Sequence, residues 1–153
     1  MDSAGGEVIS CHTVAAWEEV LQKANESKKL VQELVVVLVL VLVPAGRATR
    51  FSYGPSEVVV DFTASWCGPC RFIAPILAEM ARKMPDVMFV KIDVDELKSV
   101  AKDWAVEAMP TFVFLKEGNI MDRVVGAKKD ELQMAVAKHA APAAVTATAT
   151  ATA

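Results

Sequence analysis

The chain has 153 residues, of which 54% are hydrophobic and 23% charged, a composition that suits one globular domain with a sizeable core. The formal net charge is −3 at pH 7 and no basic cluster is present, which argues against a nucleic-acid-binding protein. Three cysteines are too few, and odd in number, for a disulfide-stapled secreted domain. The first ten residues lack the basic and apolar segments of a signal peptide, so we expect a cytoplasmic protein.

The predicted elements follow the order β-α-β-α-β-α-β-β-α, with an insertion after the first helix. Residues 1–6 are expected to be frayed. Parallel crossovers followed by a hairpin predict an α/β fold with a mixed central sheet and helices on both faces. The predicted elements are a strand over Glu7–Cys11, a helix capped by Thr13, a strand over Val58–Thr63, a helix over Cys67–Met84, a strand over Val87–Val94, a helix over Glu96–Trp104, strands over Thr111–Lys116 and Ile120–Val125, and a helix over Lys128–His139.

Two segments do not fit this pattern. The insertion, residues 31–57, contains ten consecutive apolar residues, Leu34–Val43, which is too short for a membrane-spanning helix of about 20 residues. Its β-branched content favours a buried strand or a loosely packed excursion over a membrane contact. Residues 140–153 alternate threonine and alanine and are predicted to be a disordered tail.

The most informative stretch is Asp61–Cys70, which reads DFTASWCGPC. Cys67 is predicted to lie at the start of a helix, where the macrodipole favours a thiolate, the form that attacks disulfides. Cys70 lies one turn further on and is expected to be more buried. The pattern predicts that Cys67 forms a mixed disulfide with a target and that Cys70 then resolves it. Gly68 would let a partner chain approach closely, and Pro69 would stiffen the turn.

Three further residues near this dithiol have a functional and a structural interpretation. Asp61 lies in an apolar strand, so burial would raise its pKa and suit it to exchange a proton with Cys70; otherwise it is a strand-end aspartate facing solvent. Trp66 either shields the site and offers an apolar contact surface or packs in the core. Pro110 opens a strand, and since only about 5–6% of X-Pro bonds are cis, base rates alone favour a trans bond.

Other classes of protein were weighed against a dithiol catalyst. A zinc site could be imagined from Cys11, Cys67, Cys70, His12 and His139, but structural zinc normally shows two paired clusters. An oxidase or isomerase of the secretory pathway is expected to have a histidine between the cysteines and a signal peptide, and this sequence shows neither. A poorly folded, non-catalytic binding protein is a third alternative because of the insertion. We interpret Cys11 as a free thiol, with an auxiliary disulfide as the alternative, and both histidines as surface residues.

The chain resembles the plant h-type thioredoxins over residues 7–30 and 58–139. The segments that carry this resemblance read VVVDFTASWCGPCRFIAP, KIDVDELKSVAKDWAVEAMPTFVFLKEG and VVGAKKDELQ. The resemblance implies the thioredoxin fold and a monomeric, redox-active protein-disulfide oxidoreductase that reduces disulfides of target proteins. Electrons would come from NADPH through a flavin-containing thioredoxin reductase, with no cofactor or metal bound to this chain.

The resemblance also assigns site residues. Cys67 would be the exposed nucleophile and Cys70 the resolving thiol of a redox-active disulfide, with Asp61 the buried proton acceptor beside Lys91. The docking side would hold a cis-proline at Pro110, the Met109 backbone that pairs with a target peptide, and a surface of Trp66, Gly68, Pro69, Gly126 and Ala127.

One departure from the family pattern is the insertion itself. In the family the helix ending in KKL runs directly into VVVDF, whereas here residues 31–57 intervene. This segment is hydrophobic in its first part and basic in its second, which is typical of translated non-coding sequence such as a retained intron. Comparing the transcript with the exon boundaries in the genome would test this hypothesis. An exposed, uncharged, β-prone run would promote aggregation.

Overall fold

The structure is a computed structural model that describes residues 6–25 and 57–140. The predictions for the first five residues, for the apolar run of the insertion and for the Ala/Thr tail lie outside the described residues. The element bounds differ from the predicted ones by at most two residues; the central strand begins at Glu57 rather than Val58, and the last helix ends at Ala140 rather than His139. Both residues continue the hydrogen-bonding pattern of their neighbours.

Nine elements were expected, and they occur in the expected order. The segment 14–25 is helical and is called α1. The elements are β1 (Val8–Cys11), α1 (14–25), β2 (Glu57–Thr63), α2 (Gly68–Lys83), β3 (Val87–Asp93), α3 (Lys98–Asp103), β4 (Thr111–Lys116), β5 (Asn119–Val125) and α4 (Lys129–Ala140).

One five-stranded sheet organises the fold, in the order β1-β3-β2-β4-β5. Strands β1 and β2 run parallel to β3, whereas β4 is antiparallel to both β2 and β5. Strand β2 lies at the centre and all seven of its residues are buried, as expected for a continuous apolar run. The predicted mixed α/β sheet is therefore confirmed.

Alternating side chains of β2 divide the core between the two faces of the sheet. Val60 and Phe62 pack with Trp17 of α1 on one face, while Val59 packs with Ile73 of α2 on the other. The helices cover both faces, as predicted. The three α4 residues predicted to point inward are buried: Leu132, Ala135 and Val136.

Local sequence signals explain two element boundaries. The Thr13 Oγ1 atom accepts a hydrogen bond from the Ala16 amide at 3.2 Å, which is the predicted N-cap of α1. Glu117 and Gly118 join β4 to β5 with φ angles of 51° and 77°. Positive φ at both central residues is the turn geometry that matches the twist of a two-residue hairpin.

One histidine departs from the surface placement that was predicted. The His139 side chain is only 10% exposed, its Nε2 atom lies 3.1 Å from Asp122 Oδ2, and its ring lies 5.6 Å from that of Phe114. The prediction was wrong because α4 packs this residue against β4 and β5. His12 is exposed, with its Nδ1 atom 2.8 Å from Glu96 Oε2.

Candidate active site

The two cysteines of the central motif form a disulfide at the N-terminus of α2. Cys67 is the N-cap residue of this helix, and its Sγ atom accepts a hydrogen bond from the Cys70 amide at 3.2 Å. A proline in the first helical turn, Pro69, fits a position whose amide has no helical partner. When the disulfide is reduced, the same amide and the helix dipole stabilise negative charge on Cys67.

The expected difference in exposure between the cysteines is absent. Cys67 and Cys70 are each 4% exposed, so the description of Cys67 as the exposed member is corrected. They share a small buried cluster with Ala64, against which Val94 and Met109 pack. The Met109 carbonyl oxygen lies 3.6 Å from Cys67 Sγ, and this neighbouring loop covers the sulfur. The two cysteines differ in their neighbours rather than in their exposure.

The loop that covers Cys67 is fixed from both sides. The Met109–Pro110 peptide bond is cis, the isomer that base rates disfavour and that the family resemblance implies. The Gly126 amide donates a hydrogen bond to the Pro110 carbonyl at 2.8 Å, and Thr111 Oγ1 donates to the Ala108 carbonyl at 2.6 Å. The start of β4 and the end of β5 thus meet beside the disulfide.

Asp61 is a buried acid behind the disulfide. It is 3% exposed, and its Oδ1 atom has no hydrogen-bond partner among the described residues. The alternative of a solvent-facing aspartate is wrong, because β2 is the central strand. Burial raises the pKa of Asp61 to about 7, and the positive charge of Lys91, its partner in the β2–β3 register, counteracts part of that rise.

A cavity of about 180 Å³ is lined by both Asp61 and Cys70. At about 30 Å³ per water molecule, it has room for several waters. Its remaining lining is polar or small: Thr63, Ala64, Ser65, Arg71, Ala74, Lys91 and Asp93. Asp61 and Cys70 therefore border the same water-sized space.

Trp66 forms an exposed apolar surface next to Cys67. Its side chain is 63% exposed, so the core-packing alternative is wrong. The indole Nε1 atom donates a hydrogen bond to Asp95 Oδ2 at 2.9 Å, which holds the ring in place. Sequence reasoning missed Asp95, which lies 29 positions away in the loop after β3. No spacing signal connects these two loops; only the sheet brings them together.

A second missed residue is Arg71, which follows the motif. Its Nη2 atom donates a hydrogen bond to the Ser65 carbonyl at 3.0 Å, linking α2 to the loop that leads into it.

The remaining predicted surface residues lie where a partner could reach them. Gly68 and Pro69 are exposed, and a Cβ built on Gly68 would meet nothing within 4 Å. Gly126 is half-buried and has a φ of 96°, which favours glycine. Ala127 packs at the edge of the core.

The residues considered for zinc are not gathered into one site. Within residues 6–25 and 57–140, no group of three or more histidine, cysteine or acidic residues could hold a metal ion. Cys11 is a free cysteine, 2% exposed, in the core cluster that contains Trp17. Burial raises the pKa of its thiol. Across the same ranges, no helix is long and apolar enough to cross a membrane.

Comparisons with known proteins agree with this geometry. The thioredoxin family model matches residues 50–138. Thioredoxin H1 of Arabidopsis thaliana is 58% identical over 141 residues, covering 92% of this chain and 100% of that protein. An H-type thioredoxin of Ricinus communis is 57% identical over 143 residues, covering 94% and 98%. The crystal structure of a thioredoxin from Nicotiana alata is 37% identical, with a TM-score of 0.67 and coverage of 91% of this chain and 97% of that one.

Proposed function

This chain belongs to the thioredoxin family and is a protein-disulfide oxidoreductase of the plant h type, and we propose that it reduces target proteins with electrons from NADPH delivered by thioredoxin reductase. The observation that supports this most directly is the Cys67–Cys70 disulfide at a helix N-terminus with a buried acid behind it. We place the protein in the cytoplasm, as a monomer that binds no cofactor, metal, nucleic acid or membrane.

The first step of the proposed cycle is an attack by the Cys67 thiolate on a target disulfide. A bond forms between Cys67 Sγ and one target sulfur, and the other target sulfur leaves as a thiolate that takes up a proton. The amide of Cys70 stabilises the attacking thiolate. The target's backbone would pair with Met109, whose carbonyl oxygen lies 3.6 Å from Cys67 Sγ.

The second step releases the target. Cys70 gives its proton to the Asp61 carboxylate through the shared cavity and attacks Cys67 Sγ. The internal disulfide closes, and the second target sulfur leaves as a thiolate that takes up the proton released by Asp61. A pKa of about 7 lets Asp61 accept this proton near neutral pH and pass it on. The positive charge of Lys91 limits the rise in the pKa of Asp61.

The docking surface in this proposal surrounds Cys67. Trp66 and the exposed residues between the cysteines contact the target, while Pro110 and Gly126 hold the loop beside it. Ala127 completes the same edge.

The test is reduction of insulin disulfides with NADPH and a plant thioredoxin reductase. We expect turnover for the parent protein, none for Cys67→Ser, and a stable mixed disulfide with insulin for Cys70→Ser. Turnover with dithiothreitol but not with reductase and NADPH would contradict only the proposal that electrons come from NADPH through thioredoxin reductase. Absence of turnover with either reductant, in protein that binds unfolded chains, would favour the non-catalytic alternative.

We also propose that the catalytic domain spans residues 7–139 and that residues 31–57 are dispensable. Deleting them joins Leu30 to Val58, restores the family connection and removes a run that favours aggregation. We expect higher solubility with insulin turnover retained. The deletion also removes the buried carboxyl of Glu57, so Glu57→Leu in the full chain is the matched control. Equal solubility and melting temperature of the deleted and full-length forms would refute the proposal.

A further inference from the structure

The outer face of α2 carries a row of apolar side chains that the core does not use. Pro69, Phe72 and Pro75 are exposed, and Ile76 is half-buried. Residues three or four positions apart in a helix lie on the same side, so these four residues form one strip, here called the α2 strip. The other side of the helix holds its buried residues, which are Cys70, Ile73, Leu77, Met80 and Ala81.

Phe72 is the largest member of the α2 strip. It is 63% exposed, the same fraction as Trp66. The phenylalanines of the sheet are at most 1% exposed: Phe62, Phe89, Phe112 and Phe114. Single exposed apolar residues are common on protein surfaces, whereas a contiguous apolar patch marks a site where another molecule binds. The α2 strip therefore has the character of a contact surface.

The α2 strip is also free of charge. Arg71 precedes it in the sequence, but its Nη2 atom donates a hydrogen bond to the Ser65 carbonyl at 3.0 Å, in the loop before the helix. Residues 72–78 include no charged side chain. The next charged residue is Glu79, whose Oε1 atom lies 2.6 Å from Lys83 Nζ. A partner that covers this strip must therefore present apolar rather than charged side chains.

The strip continues the docking surface proposed around Cys67. Pro69 belongs to both, because it lies between the two cysteines and begins the strip. Cys67 is the N-cap of α2, and the helix rises about 7–8 Å between Cys67 and Phe72 at about 1.5 Å per residue. A protein chain joined to Cys67 by a mixed disulfide therefore lies within reach of the Phe72 ring.

We propose that the α2 strip is a second contact site for disulfide-containing target proteins, in which Phe72 packs against an apolar side chain close to the target cysteine. This inference rests on the proposed function and adds a residue that selects among targets. Apolar contact has no directional requirement, so it suits targets that differ in sequence better than the single reductase that recharges the protein.

The test compares the parent with Phe72→Gln, each reduced beforehand and mixed with excess insulin, so that no reductase is needed. Glutamine is a good helix former and replaces the ring with a polar side chain. We expect the second-order rate constant for insulin to fall about fivefold, as one aromatic contact is lost. The rate constant for hydroxyethyl disulfide should stay the same, because this small molecule does not extend from Cys67 to Phe72. Phe72→Leu, which keeps an apolar side chain, should retain most of the insulin rate.

The matched control is Ile120→Thr. Ile120 is 56% exposed and lies near the start of β5, whereas the end of that strand leads to Gly126 beside the disulfide. Its substitution removes an exposed apolar side chain far from Cys67 and should leave the insulin rate constant unchanged. Urea unfolding of each variant verifies that it is folded at the temperature of the assay.

Three results would overturn the proposal. The first is an equal insulin rate constant for the parent and Phe72→Gln. The second is an equal loss for insulin and hydroxyethyl disulfide, or an equal loss in Ile120→Thr. The third is a higher KM of thioredoxin reductase for Phe72→Gln with an unchanged insulin rate constant, which would assign the strip to the reductase. Absence of insulin reduction by the parent itself is a different result, which would refute the proposed function and this inference with it.

Discussion

Asp61→Asn should make the protein more stable, and by an amount that grows with pH. The aspartate is 3% exposed, and burial raises its pKa from 3.8 to about 7. Because the folded-state pKa lies above the unfolded one, stability is lost as the pH rises from about 4 through 7. The difference between 3.8 and about 7 corresponds to roughly 4 kcal/mol at about 1.36 kcal/mol per pKa unit.

At pH 5 the Asp61 carboxyl is ionised in the unfolded chain and protonated in the folded one. Its burial therefore already lowers the free energy of unfolding by roughly 1.7 kcal/mol, and by about 2.5 kcal/mol more at pH 8. Urea unfolding of the oxidised proteins at these two pH values measures this increment. The oxidised form is chosen because disulfide-bonded Cys67 and Cys70 do not titrate. The pH dependence of Glu57 is common to both proteins and cancels in the difference.

The matched control is Asp103→Asn, which changes an exposed carboxyl at the end of α3. It should follow the pH dependence of the parent protein. If Asp61→Asn instead gains the same stability at pH 5 and pH 8, the argument from burial is refuted. The substitution should also slow release of the target in insulin turnover, because Cys70 loses its proton acceptor.

Three other substitutions test the supports of the site and of the surrounding fold. Asp95→Ala removes the acceptor of the Trp66 indole, so KM for insulin should rise about threefold with turnover of a small disulfide unchanged; an equal loss for both substrates would contradict a docking role. Arg123→Met removes hydrogen bonds of 2.8 and 3.1 Å to two carbonyl groups after α3. Urea unfolding should show that the free energy of unfolding falls by about 1–2 kcal/mol. An unchanged free energy of unfolding would show that the guanidinium is merely solvated. Gly118→Ala should cost about 1–2 kcal/mol, because φ is 77° and the new Cβ would crowd Asn25; an unchanged melting temperature would show that the turn relaxes.

The sequence was sufficient for the parts of the fold that depend on local periodicity and on a distinctive motif. The apolar run before the dithiol predicts β2 as a central strand, and Asp61 within it predicts a buried acid with a raised pKa. The turn at Glu117–Gly118 follows from Gly118, which adopts positive φ without steric cost, whereas the positive φ of Glu117 does not follow from its residue type. The family resemblance added Lys91 and the cis bond before Pro110, which spacing alone does not provide.

What the sequence did not predict depends on contacts between distant segments. The bond between Trp66 and Asp95 joins two loops that only the β2–β3 pairing brings together. The burial of His139 depends on how α4 crosses the sheet. The equal exposure of the two cysteines depends on a third loop, at Met109, that covers Cys67. Side-chain spacing along one element carries no information on any of these.

The open space beside Gly68 has a consequence for how this protein can evolve. A Cβ there would meet nothing within 4 Å, whereas one at Gly6 would clash with the Ala81 carbonyl oxygen. Gly6 is therefore fixed by packing, while a side chain at Gly68 would meet no steric clash. A substitution at Gly68 would change the surface beside Cys67 and leave the packing of the scaffold as it is.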